Sequence, residues 1–150
     1  MHARRPGPGH TCRVARREYV VEYTANRAGL RDGDDALSRA EIVVLGDSHG
    51  MGWGVQGEQS FPKCLQGITG RRVLHASMSS SYGTAREMTL LERLALPAGT
   101  LVIQCSAIDL SHALEPGDYY VLDGHMKPSG HEKVARRPAA ELDRGKRLNR

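Results

Sequence analysis

No stretch of this 150-residue chain is apolar for more than a handful of residues; Ile42 to Leu45 and Leu101 to Ile103 are representative. A bilayer-spanning helix needs about 20 such residues, so a membrane span is excluded. The first twenty residues contain arginines and no apolar core segment, which argues against an export signal and leaves a cytoplasmic location as the expectation. Cysteine is scarce. Cys12, Cys64 and Cys105 are odd in number and lack C-x-x-C or metal-ligand spacing, so neither a disulfide framework nor a zinc site follows. Histidines are more plentiful, but none stands in an H-E-x-x-H pattern, and the reading requires no metal and no cofactor. Aromatics make up only 5% of the chain.

What is present suits one ordinary domain: 39% hydrophobic and 25% charged residues, with length for a single core. The formal charge of +4 is unevenly spread. Residues 1–31 hold seven arginines against two acids and residues 133–150 hold seven lysines or arginines against two acids, whereas 32–132 carries −6. Basicity therefore belongs to the ends. Without interleaved aromatics the ends read as solvated tails, and nucleic acid is not expected as a partner, although attraction to an anionic surface stays open. The expected organisation is a disordered basic arm over 1–17, a single α/β domain over 18–137 and a basic tail over 138–150.

Within that domain Ile42-Val43-Val44-Leu45 is apolar at every residue and ends at Gly46, the pattern of a strand covered on both faces of a parallel sheet. Val73-Leu74-His75-Ala76 and Leu101-Val102-Ile103 repeat it. Glu18 to Tyr23 predicts a short edge strand, and Asn26 to Asp35 a turn. Between the apolar runs, Thr84 and Glu87 have capping-box spacing before Met88, Leu91 and Ala95, which predicts a crossover helix stopped by Leu96-Pro97-Ala98-Gly99. A shorter helix is expected around Pro62 to Gln66. Ser129 and Glu132 repeat the capping-box spacing and predict a last helix from Gly130 to before Pro138. The order of elements is an α/β signature.

The first strand runs into Gly46-Asp47-Ser48-His49-Gly50-Met51-Gly52-Trp53-Gly54-Val55. Ligands of open α/β sheets gather beyond the carboxyl ends of the strands, so Ser48 stands where a nucleophile belongs, although a capping serine would occupy the same place. Far along the chain, Asp123-Gly124-His125 sets a carboxylate two residues before an imidazole on a loop leading into the last helix. A serine hydroxyl needs a base, and the base needs a partner to fix its tautomer. Asp123 and His125 can supply both. His49 is a weaker candidate base, because neighbours along the chain rarely reach each other in the required way. Asp47 reads as a structural carboxylate, His131 as a surface or packing residue, and Trp53 and Tyr82 as substrate-side or core aromatics. His75 and His112 receive no role.

Taken together, these segments resemble the SGNH, or GDSL-type, hydrolase family. The resemblance rests on Gly46-Asp47-Ser48, Gly52-x-Gly54-Val55, Ala76-Ser77-Met78-Ser79 with Tyr82-Gly83-Thr84, and Asp123-x-His125 with Pro128 and Gly130. The lead-in Tyr23-x-x-Asn26-x-x-Gly29-Leu30-Arg31 adds to it. It covers about residues 23–135 and implies a small three-layer α/β/α sandwich with a mostly parallel, flavodoxin-like sheet. It also implies acyl cleavage or transfer on a carboxylic ester of a lipid, a saccharide or a small molecule. Ser48 would be the nucleophile, His125 the base and Asp123 the acid. Oxyanion donors would be the Ser48 amide and a residue of the serine-rich turn, with Ser80, Ser81 and Gly83 all possible in register. The G-x-S-x-G elbow of α/β-hydrolases also fits Gly46-x-Ser48-x-Gly50, but the order of the blocks and the shared acid–base loop favour the GDSL type.

Two departures accompany the resemblance. Where the family ends its third block in an Asn-Asp pair whose Asn donates to the oxyanion, Gln104-Cys105-Ser106-Ala107-Ile108-Asp109-Leu110 offers Ile108 at the Asn position, and its side chain cannot donate. Only a short link joins Asp109 to Asp123, so one or more α/β units are expected to be missing. A catalytically impaired relative or fragment that at most binds an acylated saccharide or a partner is therefore the alternative to an ester hydrolase.

Overall fold

In a computed structural model, residues 7–78, 84–95, 99–103 and 114–148 are described. The chain is a mixed α/β protein with two small sheets, one antiparallel and one parallel. Strands β1 (Thr11–Ala15) and β2 (Val20–Thr24) form the antiparallel pair. A short helix α1 (Ala36–Arg39) leads to β3 (Ile42–Leu45), α2 (Phe61–Thr69), β4 (Val73–His75), α3 (Thr84–Leu94), β5 (Thr100–Ile103) and α4 (Pro128–Leu148). The parallel sheet has the order β4-β3-β5, with Ile42 opposite both Val73 and Thr100.

The all-apolar strand occupies the centre, as its composition predicts, and its four side chains are almost wholly buried. Successive residues of a strand point to opposite faces. Ile42 and Val44 accordingly pack with Phe61, Leu65, Val134 and Ala135 from α2 and α4. Val43 and Leu45 pack with Leu30, Ala36 and Leu74, and with Leu90, Leu91 and Leu94 of α3. Helix α2 buries Phe61, Pro62 and Leu65 on one face, takes its proline in the first turn where no backbone donor is lost, and stops at Gly70, which is left-handed at φ 65°. These crossovers bring the carboxyl ends of β3 and β4 together. Ala76 N–H donates to Val44 O (2.9 Å) and Met78 N–H to Gly46 O (2.8 Å), tying the Ser77 turn beside the Ser48 turn.

Three expectations need correction. The arm over 1–17 is not wholly disordered, since Thr11–Ala15 is strand β1. Arg13, Arg16 and Arg17 misled because they are exposed, Arg13 opposite Glu22, while Val14 is buried against Val21, Tyr23 and Met51. The short strand expected over 18–23 is β2, Val20–Thr24, which pairs with β1 in the separate antiparallel sheet. The last helix does not end before Pro138 but continues to Leu148. An interior proline costs a helix about 3 kcal/mol. Ala139 and Leu142 extend the apolar stripe of Val134 and Ala135 onto the core and offset that cost. Nor does Ser129 form a capping box with Glu132. Helix α4 begins at Pro128, and Ser129 Oγ donates instead to Asp118 Oδ1 at 2.8 Å, a carboxylate that also binds Lys133 Nζ at 2.7 Å. The contacts of the Thr84-Glu87 pair lie outside the described side chains, although α3 does begin at Thr84.

Of the link before Asp123, residues 104–113 lie outside the described residues. The part from Leu114 onward holds one 3-10 turn, Pro116–Asp118, and an isolated bridge between Tyr119 and Met126. No membrane-length apolar helix occurs among the described residues.

Candidate active site

The turn after β3 is built to expose Ser48 while holding its backbone. Met51 N–H donates to Asp47 O (2.8 Å) and Trp53 N–H to Ser48 O (3.0 Å). Asp47 has the structural role its position suggests, accepting His49 N–H at 2.8 Å through Oδ1. Beneath the turn lies Arg31, only 8% exposed. Its guanidinium donates to the carbonyls of Met51 (3.0 Å), Gly52 (2.6 Å) and Val55 (2.6 Å), and sits 4.2 Å over the Tyr23 ring. Burial pulls its pKa down to about 10, so it stays charged at neutral pH. Gly52 and Gly54 have φ of +73° and +86°. A Cβ at Gly52 would stand 2.7 Å from Ser60 Cβ, and one at Gly54 2.9 Å from the Tyr120 ring. Both positions demand glycine, for conformation and for space.

The acid–base loop arrives between Tyr119 and Met126. Tyr120 N–H donates to His125 O (2.9 Å) and Gly124 N–H to Tyr120 O (3.2 Å), closing a tight turn with Gly124 at φ 77°. Tyr120 Oη donates to Gly54 O at 2.9 Å and Tyr23 Oη accepts Gly54 N–H at 2.8 Å, so the two loops are bonded to one another. In consequence Ser48 Oγ lies 2.9 Å from His125 Nε2, and His125 Nδ1 bonds Asp123 Oδ1. With Nδ1 protonated toward the carboxylate, Nε2 accepts the Ser48 hydroxyl proton; this is the tautomer a general base needs. His125 and Asp123 side chains are 24% and 19% exposed, partly screened from water yet open to a substrate.

Burial by itself would raise the Asp123 pKa, but hydrogen bonds from Tyr19 and His125 outweigh it and hold the carboxyl below its ordinary value. Tyr19 Oη donates to Asp123 Oδ2 at 2.7 Å. Burial and the neighbouring carboxylate push the Tyr19 phenol up, so it remains a neutral donor. The Trp53 ring stacks on Tyr23 at 5.4 Å and lies 6.2 Å from the His125 ring.

All three sequence-predicted catalytic residues thus converge. His49 does not displace His125: its ring lies 5.0 Å from that of His125, and burial first and the neighbouring imidazole second lower its pKa. His131 is a packing residue and not a surface one, fully buried with Nδ1 accepting Phe61 N–H at 3.1 Å. His75 is also fully buried. The candidate oxyanion residues Ser80 and Gly83, with Ser81, Tyr82, Ile108 and His112, lie outside the described residues. No group of His, Cys, Asp and Glu suited to a metal ion occurs among the described residues. Glu18, Tyr19 and Tyr120 were not singled out from sequence. Their contacts with the site span separations of up to 105 residues, and no local spacing announces them.

No family model, curated protein or solved structure matches the chain.

Proposed function

We propose that this protein is a serine hydrolase of SGNH, or GDSL, type that cleaves a carboxylic ester, or transfers its acyl group, through an acyl-Ser48 intermediate. The observation that carries the reading is the continuous chain Ser48 Oγ to His125 Nε2 and His125 Nδ1 to Asp123, assembled from loops 77 residues apart. Two helices against each face of a central parallel strand fit the small three-layer sandwich of that family, and the serine lies at a strand's carboxyl end as the family pattern requires.

In this reading His125 Nε2 takes the hydroxyl proton as Ser48 Oγ attacks the ester carbonyl carbon. The tetrahedral oxyanion is met by the Ser48 amide and by a second donor from among residues 80–83. Collapse breaks the bond to the alkoxy oxygen, which leaves as the alcohol with the proton from His125. Water then gives a proton to His125 and attacks the acyl-enzyme; the acid departs and the Ser48 hydroxyl is restored. Asp123 keeps the imidazole in place and stabilises its charged form throughout. The substrate would be a small, lipid or saccharide ester.

Ile108 favours a second reading, a binding protein with a residual triad, since the family's Asn donor is replaced. Turnover of p-nitrophenyl acetate by the wild type, abolished in Ser48→Ala, supports the hydrolase. Equal rates in the two proteins would refute it.

A further inference from the structure

We propose that Glu18 and Tyr19, in the turn of the amino-terminal hairpin, are positioning residues that hold the Asp123-His125 loop in its working geometry; this rests on the hydrolase reading above. The loop has little else to fix its tip. Val121 and Leu122 are 86% and 65% exposed, so apolar burial does not anchor them. The anchor is polar. Glu18 Oε1 accepts Val121 N–H at 2.8 Å, and Oε2 accepts Leu122 N–H at 2.8 Å and Asp123 N–H at 3.1 Å. One carboxylate thereby collects three consecutive backbone donors, and charge-assisted bonds of this kind are about twice as strong as neutral ones. The next residue completes the hold. Tyr19 Oη binds the Asp123 oxygen that His125 leaves unused, which sets the plane of the carboxylate against the imidazole.

The turn is itself rigid enough to serve. Arg16 N–H donates to Tyr19 O at 2.8 Å, closing a hairpin whose strands pair from Thr11–Thr24 to Ala15–Val20. Tyr19 is 8% exposed and its ring lies 5.0 Å from that of Tyr120, the residue bonded to Gly54 beyond the nucleophile. The titratable groups facing Asp123 are His125 on its own loop, Glu18 and Tyr19 from the hairpin turn, and Tyr23, His49 and Tyr120 around them. Of these, Tyr19 and His125 donate to the carboxylate and favour its charged form, so removing the Tyr19 hydroxyl should shift its titration upward.

The experiment compares wild type, Tyr19→Phe, Glu18→Gln and Glu18→Ala. It uses p-nitrophenyl acetate kinetics, thermal unfolding, and the Asp123 carboxyl titration read by carbon NMR on aspartate-labelled protein. Because small displacements at a catalytic constellation cost about 100-fold, Tyr19→Phe is expected to lose roughly 10-fold in kcat and Glu18→Ala roughly 10- to 100-fold, with KM little changed. Glu18→Gln, which keeps an accepting oxygen, falls between Glu18→Ala and wild type. In Tyr19→Phe the Asp123 midpoint moves upward, a shift that mere ring packing would not cause. Folded variants with wild-type kcat and an unmoved Asp123 midpoint overturn the proposal. If the wild type itself lacks Ser48-dependent turnover, the hydrolase reading fails, and the Asp123 titration alone still decides whether Tyr19 holds the loop.

Discussion

His131 makes acid stability a quantitative test of how the site is supported. The ring is wholly buried between α4 and α2, Nδ1 accepts Phe61 N–H, and Nε2 has no hydrogen-bond partner among the described residues. A neutral imidazole that accepts at Nδ1 must carry its proton on Nε2, so charging the ring would break the bond to Phe61. Burial chiefly, with His49, Arg31 and His125 adding repulsion, lowers its pKa to about 3. In the unfolded chain the value returns to about 6.5. Between those limits the unfolded state binds the extra proton, so stability present above pH 6.5 is lost as pH falls toward 3. One such group contributes a slope of up to about 1.4 kcal/mol per pH unit, or roughly 4–5 kcal/mol over the whole window. His75, fully buried and shifted in the same direction by burial, adds to it. Urea unfolding at intervals from pH 7 to 4.5 measures the slope above the range where most carboxylates titrate. His131→Asn keeps an acceptor for Phe61 N–H and cannot charge, so its slope should be shallower by about one group's share. Equal slopes in the two proteins, or stability that rises on acidification, would refute the argument.

Two further perturbations test the site, one from its geometry and one from the sequence. Gly54→Ala sets a Cβ 2.9 Å from the Tyr120 ring at a φ of +86°, so it should lose about 1–3 kcal/mol of stability by denaturant titration and lower turnover by parting the two loops. Wild-type stability in that variant would contradict the packing described between Gly54 and Tyr120. Ile108→Asn should raise kcat by up to about 100-fold if it restores a missing oxyanion donor to a working triad. An unchanged kcat would remove Ile108 from the oxyanion argument.

How much of this was legible in the sequence depends on the range over which each signal acts. The buried strands declared themselves because Ile42 to Leu45 and Val73 to Leu74 are apolar at every position, and no exposed strand has that composition. Ser48, Asp123 and His125 were legible because each sits at a punctuated site, after a strand or before a helix, and because their chemistry is complementary. The hairpin was hidden by its arginines. Averaging charge over 1–17 masks the alternation that buries Val14 while Arg13 and Ala15 face outward. Glu18 and Tyr19 were hidden for another reason: a carboxylate collecting amides more than a hundred residues away leaves no periodic trace. Pro138 misled because a strong local rule met a stronger tertiary one, the burial of Ala139 and the packing of Leu142.

Covalent trapping asks of the protein itself whether Ser48 is a nucleophile activated by His125. Incubation with a fluorophosphonate, followed by intact mass measurement and peptide mapping, should give one adduct per chain located on Ser48, absent in Ser48→Ala and formed far more slowly in His125→Ala. An unmodified wild-type chain at neutral pH, or an adduct on another residue, would contradict that role for Ser48.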